Sequence, residues 1–103
     1  MGVPWRNVLR KVTKSKHLER QIRKGQIPLH ILIKLQDWVE DVEERGLQMV
    51  RRIPGYHDEP CLGKMKGFRT IRLGKGWRAY YTIQGEIIEF VLLEGIDHHE
   101  YGK

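Results

Sequence analysis

The sequence predicts an α+β fold, with two N-terminal helices packed on one face of a small, mainly antiparallel β-sheet. Three observations predict it. Apolar residues recur every three or four positions at Ile31, Leu32, Leu35, Trp38, Val39 and Val42, the stripe of a helix with one buried side. Three β-rich runs follow, over residues 68–73, 77–83 and 86–93, separated by the turns Gly74-Lys75-Gly76 and Gln84-Gly85; these are hairpin signals. The helices come before those strands as a block, the order of an α+β chain.

A first strand is expected over residues 5–12, although Trp5, Val8 and Val12 do not alternate cleanly. Thr13 or Ser15 can cap a short helix through Lys24, with Leu18 and Ile22 one turn apart, and Gly25 ends it. Pro28 suits the first turn of the longer helix and Gly46 its stop. Asp37, Glu40, Asp41, Glu43 and Glu44 fall largely off the apolar stripe and read as a solvated face. Ile53-Pro54-Gly55-Tyr56 is turn-like, and a loop runs on through Gly63 and Gly67. Strand alternation then sorts the side chains. Trp77, Ala79, Tyr81 and Ile83 share the core face with Ile71 and Leu73. Arg78, Tyr80, Thr82 and Gln84 share the outer face with Thr70 and Arg72. The run Ile87-Ile88-Glu89-Phe90-Val91-Leu92-Leu93 is nearly all apolar and belongs near the middle of the sheet.

A chain of 103 residues is expected to form one domain, residues 1–103, and 40% hydrophobic content is enough for its core. No run approaches the ~20 apolar residues of a membrane span. The start, Met1-Gly2-Val3-Pro4-Trp5-Arg6, lacks the apolar block of a signal peptide, and Arg6 spoils a myristoylation pattern at Gly2. Cys61 is the single cysteine, so no internal disulfide forms and a reducing cytoplasm fits. No membrane partner, metal or cofactor is expected.

Net charge is +6 and the pI about 9.7, which favours a polyanionic partner. The charge is blocked along the chain: +7 over residues 1–26, −3 over 27–50, +6 over 51–78 and −4 over 79–103. The second basic block contains the chemistry. Glu59 is a carboxylate beside Lys64, Lys66 and Arg69, and Arg72 and Arg78 point away from the core. The chain end adds His98, His99 and Tyr101. A base, an acid and a phosphate clamp are what RNA cleavage without a metal requires. A 2′-hydroxyl is a weak nucleophile and needs a carboxylate or neutral imidazole within reach. The phosphorane gathers charge that a planar arginine fork can hold. The leaving oxygen needs a proton that histidine supplies near neutral pH. Tyr80 or Tyr101 can stack on an unpaired base. Plainer readings compete. Glu59 pairing with Lys64 or Lys66 is as good a reading as catalysis. His57 reads first as a turn residue and second as a reserve base. Lys64, Lys66 and Arg69 read as backbone contacts to RNA. His98, His99 and Glu100 lack the spaced third ligand of a metal site.

These residues resemble the RelE/ParE superfamily of bacterial toxins, and most of all its RelE, YoeB and HigB branch of messenger-RNA endoribonucleases. The likeness rests on Pro54-Gly55-Tyr56-His57-Asp58-Glu59-Pro60, Gly67-Phe68, Ile71-Arg72-Leu73, Arg78-Ala79-Tyr80-Tyr81 and the tail with His99 and Tyr101. The resemblance implies a type II toxin–antitoxin toxin that cuts messenger RNA in the ribosomal A site by 2′-hydroxyl transesterification. It implies Glu59 as general base, Arg78 as the clamp on the scissile phosphate, Arg72 as a further cation, His99 as the acid and Tyr101 as its companion. It also implies a cognate antitoxin, and an assembly larger than one-to-one. Departures are visible: Glu100 separates His99 from Tyr101, His98 is an alternative acid, and Cys61 follows Pro60 where leucine is usual. Two other readings stand beside this one, a ParE-like gyrase poison and a non-enzymatic basic RNA-binding module.

Overall fold

The computed structural model describes residues 10–95, with side chains through residue 91. Its elements are β1 (Lys11–Lys14), α1 (Lys16–Arg23), α2 (Leu29–Arg45), α3 (Leu47–Val50), β2 (Glu59–Pro60), β3 (Arg69–Gly74), β4 (Trp77–Gln84) and β5 (Ile87–Gly95). The fold is α+β as expected. The sheet order is β1-β5-β4-β3-β2. β1 runs parallel to β5, and the other neighbours are antiparallel. β5 is therefore an interior strand, in keeping with its apolar run.

Local chemistry explains the helix ends. The Ser15 hydroxyl accepts from the Leu18 amide at 3.1 Å and donates to the Val91 carbonyl at 3.1 Å, so one side chain caps α1 and ties it to β5. α2 ends at Gly46, whose φ of +87° only glycine adopts cheaply. Two of the carbonyls in its last turn, on Glu43 and Glu44, accept from Arg10 at 3.1 and 2.6 Å. A cation is thus placed where the helix dipole is negative. Ile31, Leu35, Trp38, Val39 and Val42 of the predicted stripe are buried. Trp38, Tyr81 and Phe90 form an aromatic cluster with ring centroids 5.0–5.5 Å apart; each such pair adds about 0.5–1.5 kcal/mol beyond area burial.

Four expectations need correcting. The first strand runs on to Lys14, because pairing with β5 carries the ladder to Phe90; residues 5–9 lie outside the described residues. A third, four-residue helix, α3, follows Gly46, and buries Leu47 and Val50. The stretch read as a loop through Gly63 and Gly67 contains β2, a two-residue edge strand with Glu59 opposite Thr70 and Pro60 opposite Arg69. Proline fits there because only an edge strand tolerates its missing donor. Thr70 does face away from the helices, yet it is only 7% exposed. Among the described residues no helix is long and apolar enough to cross a membrane.

Candidate active site on the outer sheet face

The ladder register sets the site. On the face opposite the helices, Glu59 of β2, Thr70 of β3 and Tyr80 of β4 form one row. Arg72 and Arg78 form the next, directly opposite each other. With strands about 4.8 Å apart and roughly 3.4 Å of rise per residue, neighbouring rows are about 7 Å apart, within arginine reach. His57, Glu59, Thr70, Ile71, Arg72 and Arg78 accordingly line one shallow pocket, whose enclosed floor is only about 10 Å³. That floor has room for one water-sized group, so larger groups would sit on the surface.

Two features of this pocket are costly for a fold with no ligand. Like charges directly across a ladder are destabilising, and Arg72 and Arg78 are such a pair. On its other side Arg78 stands in register with Glu94 of β5. The Thr70 hydroxyl is buried with no hydrogen-bond partner among the described residues, and leaving such a group unsatisfied would cost free energy. An anionic oxygen seated on the floor would answer both.

The segment carrying Glu59 is held from below. The Asp58 side chain is fully buried and accepts from Arg69 Nε at 2.6 Å and from the Tyr81 hydroxyl at 2.7 Å. Burial, with Asp58 next, pushes the Tyr81 phenol far above its ordinary value. Burial disfavours the Arg69 cation, but the Asp58 hydrogen bond and charge outweigh it, and its pKa rises. His57, just before Asp58, is the one non-glycine with positive φ among the described residues, at +49°. Its amide donates to the Pro54 carbonyl at 3.0 Å. Left-handed backbone at a non-glycine residue costs roughly 1–2 kcal/mol, and Asp58 anchors the chain just after it.

The predicted residues therefore divide into three groups. Glu59, Arg72, Arg78 and the reserve base His57 come together. Glu59 makes no ion pair with Lys64 or Lys66; the ion pair seen among the described residues is Arg69–Asp58. Lys64 and Lys66 are exposed on the connection from β2 to β3, and Tyr80 lies on the site's face of β4. Arg69 does not join that face: it stands opposite Tyr81, whose ring is in the helix-side core. Its parity with Ile71 and Leu73 carries that information in the sequence. His98, His99 and Tyr101 lie outside the described residues. Thr70 and Asp58 were not singled out from the sequence. Nothing marks a buried threonine until β2 is known to cover it, and Asp58 looks like one more loop carboxylate. Cys61 is half-buried, and burial pushes its thiol up, away from thiolate chemistry. Among the described residues no three His, Cys, Asp or Glu side chains gather as a metal site requires.

No family model and no curated protein matches the sequence. Solved structures do. YafQ from E. coli superposes with a TM-score of 0.66 at 18% identity, covering 90% of this chain and 99% of that one. The chain has the fold of the RelE-like toxins. The toxin–antitoxin complex RelBE2 from Mycobacterium tuberculosis contains a chain matching with a TM-score of 0.61 at 16% identity, over 85% of this chain and 99% of its own. A YoeB/ParE toxin from Agrobacterium tumefaciens matches at 0.57 and 16%, over 84% and 99%. Identities this low speak to the RelE-like fold alone.

Proposed function

We propose that this chain, as one RelE-like domain, is the toxin of a type II toxin–antitoxin system and cuts messenger RNA in the ribosomal A site. The observation that carries the reading is the one pocket shared by Glu59, Arg72, Arg78 and the buried Thr70 hydroxyl, which has no partner among the described residues. Glu59, with His57 as the alternative, takes the proton from a 2′-hydroxyl. The freed oxygen attacks its own 3′-phosphorus. Arg72 and Arg78 hold the equatorial oxygens as their charge grows, and the Thr70 hydroxyl donates to one of them. The bond from phosphorus to the 5′-oxygen breaks, and His98 or His99 protonates that oxygen. The products are a 2′,3′-cyclic phosphate and a 5′-hydroxyl. Tyr101 and Tyr80 stack on flanking bases, and Lys64 and Lys66 contact the backbone.

The cognate antitoxin is a protein that covers the cationic face, in an assembly larger than one-to-one. The E. coli DinJ–YafQ and RelBE2 complexes among the structural neighbours support such a partner. The site of action is the cytoplasm.

The test is a cell-free translation reaction with purified protein, read by primer extension along the messenger RNA. Wild type should leave discrete cuts that depend on translating ribosomes. Arg78→Ala should lower their rate by roughly 10²–10³, the usual loss for one preorganised donor. Intact messenger RNA with persistent DNA breaks in cells would sink this reading in favour of a gyrase poison. RNA binding without any cleaved product would leave only a binding module.

A further inference from the structure

A second cationic site lies on the other side of the sheet. Gln48 of α3, Arg51 and Arg52 of the turn that follows, and Arg69 at the start of β3 line an open cleft of about 380 Å³. Arg51 and Arg52 are exposed and make no ion pair among the described residues. Arg69 is different, because Asp58 holds it through Nε. That bond uses one of five guanidinium donors and fixes the plane of the fork, so donors remain for a ligand at little cost in ordering. Asp58 balances one of the three positive charges, and the cleft keeps a surplus of two.

The lining is Gln48 and three arginines, without an aromatic or aliphatic side chain. It offers a base no aromatic platform. A peptide would have no apolar anchor, the usual core of a protein interface. What fits is a chain of oxyanions read by planar forks, without sequence preference. Arg69 and Arg72 are three residues apart on β3, about 10 Å along the strand, and they point to opposite faces.

We propose that the cleft of Gln48, Arg51, Arg52 and Arg69 binds the phosphodiester backbone of RNA, separately from the pocket of Glu59, Arg72 and Arg78. That the polyanion is RNA rests on the function proposed above. The backbone comes either from the strand that enters the active site or from a separate RNA on the ribosome.

Binding to a 2′-O-methyl RNA oligonucleotide tests this, because that strand lacks the attacking hydroxyl and stays intact whether or not the protein is a nuclease. Affinity would be measured from 0.05 to 0.5 M salt for wild type, the Arg51→Ala/Arg52→Ala double variant and its Lys/Lys counterpart. Ribosome co-sedimentation would be run on the same proteins. Both positions are exposed, and matched melting temperatures would confirm folding. Losing two phosphate contacts should make the slope of log K against log salt shallower by about 1.4 and weaken binding at 0.1 M by roughly tenfold. Lys/Lys should keep the slope and lose part of the affinity. A fall in co-sedimentation with messenger-free ribosomes assigns the cleft to a separate RNA; a fall on the oligonucleotide with that co-sedimentation unchanged assigns it to the entering strand. Unchanged slope and affinity in both arms would overturn the proposal. So would RNA binding that is unaffected while polyglutamate binding is lost. Because the readout here is binding and that of the proposed function is cleavage, failure of either one is seen separately from failure of the other.

Discussion

Arg72 and Arg78 face each other across the β3–β4 ladder, and their value to a phosphate is a cost to the empty fold. Arg72→Gln should therefore leave stability unchanged or raise it by about 0.5 kcal/mol, since it removes a like-charge pair. The same change should cut the cleavage rate. Urea titration and primer extension on one preparation separate the two effects; a clear loss of stability would mean that Arg72 has a structural partner. His57 obeys similar logic. Its φ of +49° suits glycine better, so His57→Gly should hold or raise the melting temperature. If cleavage then stays at the wild-type level, Glu59 is the base and His57 only shapes the turn. A fall of more than tenfold, with the fold intact, would move the base to His57. The outward position of both arginines was legible from strand parity. Their exact opposition was not, because register depends on the hairpin and on the irregularity between Arg72 and Gly74.

The short segment from Pro54 to Pro60 is held by its backbone and by one buried side chain. Its turn closes with the Tyr56 and His57 amides donating to the Ile53 and Pro54 carbonyls, a two-residue strand adds few ladder bonds, and Asp58 ties it to Arg69 and Tyr81. Asp58→Ala would leave a buried phenol hydroxyl and a part-buried guanidinium unpaired. It should cost about 3 kcal/mol in urea unfolding, and amide exchange should rise first at Glu59 and Cys61. Tyr81→Phe removes a single hydrogen bond and should cost about 1–2 kcal/mol. A neutral Asp58→Ala would mean that Asp58 does not anchor the segment. None of this was readable locally. Asp58, Arg69 and Tyr81 are separated by 11 and 12 residues in the chain, and only strand pairing brings them together. The capped helices were readable because Ser15, Pro28 and Gly46 act within one turn of their own positions.

Across the whole molecule, alkaline pH should reveal how tightly the phenols are held. Burial raises Tyr81 far above its ordinary value and pushes Tyr56 up to about 12, with the Asp41 hydrogen bond adding to the latter. A raised phenol pKa means that the native state keeps a proton the unfolded chain releases. That stability is complete below pH 10 and is lost as pH rises through about 12 for Tyr56. The Cys61 thiol, also raised by burial, starts a small loss near pH 9.0, so thermal melts should decline gently there and more steeply above about pH 10. The fall should be gentler in Tyr81→Phe, and equal slopes in the two proteins would contradict the burial of that hydroxyl. Local sequence pattern was enough for the fold class, the long amphipathic helix, the three main strands and the cationic outer face. Each of these rests on periodicity or on a cap, which act over a few neighbouring residues. Strand pairing decided that β2 exists, that Thr70 is buried without a partner among the described residues, that Asp58 ties down the Glu59 segment, and that Arg69 joins Arg51 and Arg52 in one cleft on the helix side of the sheet. Those outcomes depend on which distant strands pair and in what register, and local pattern carries no record of that.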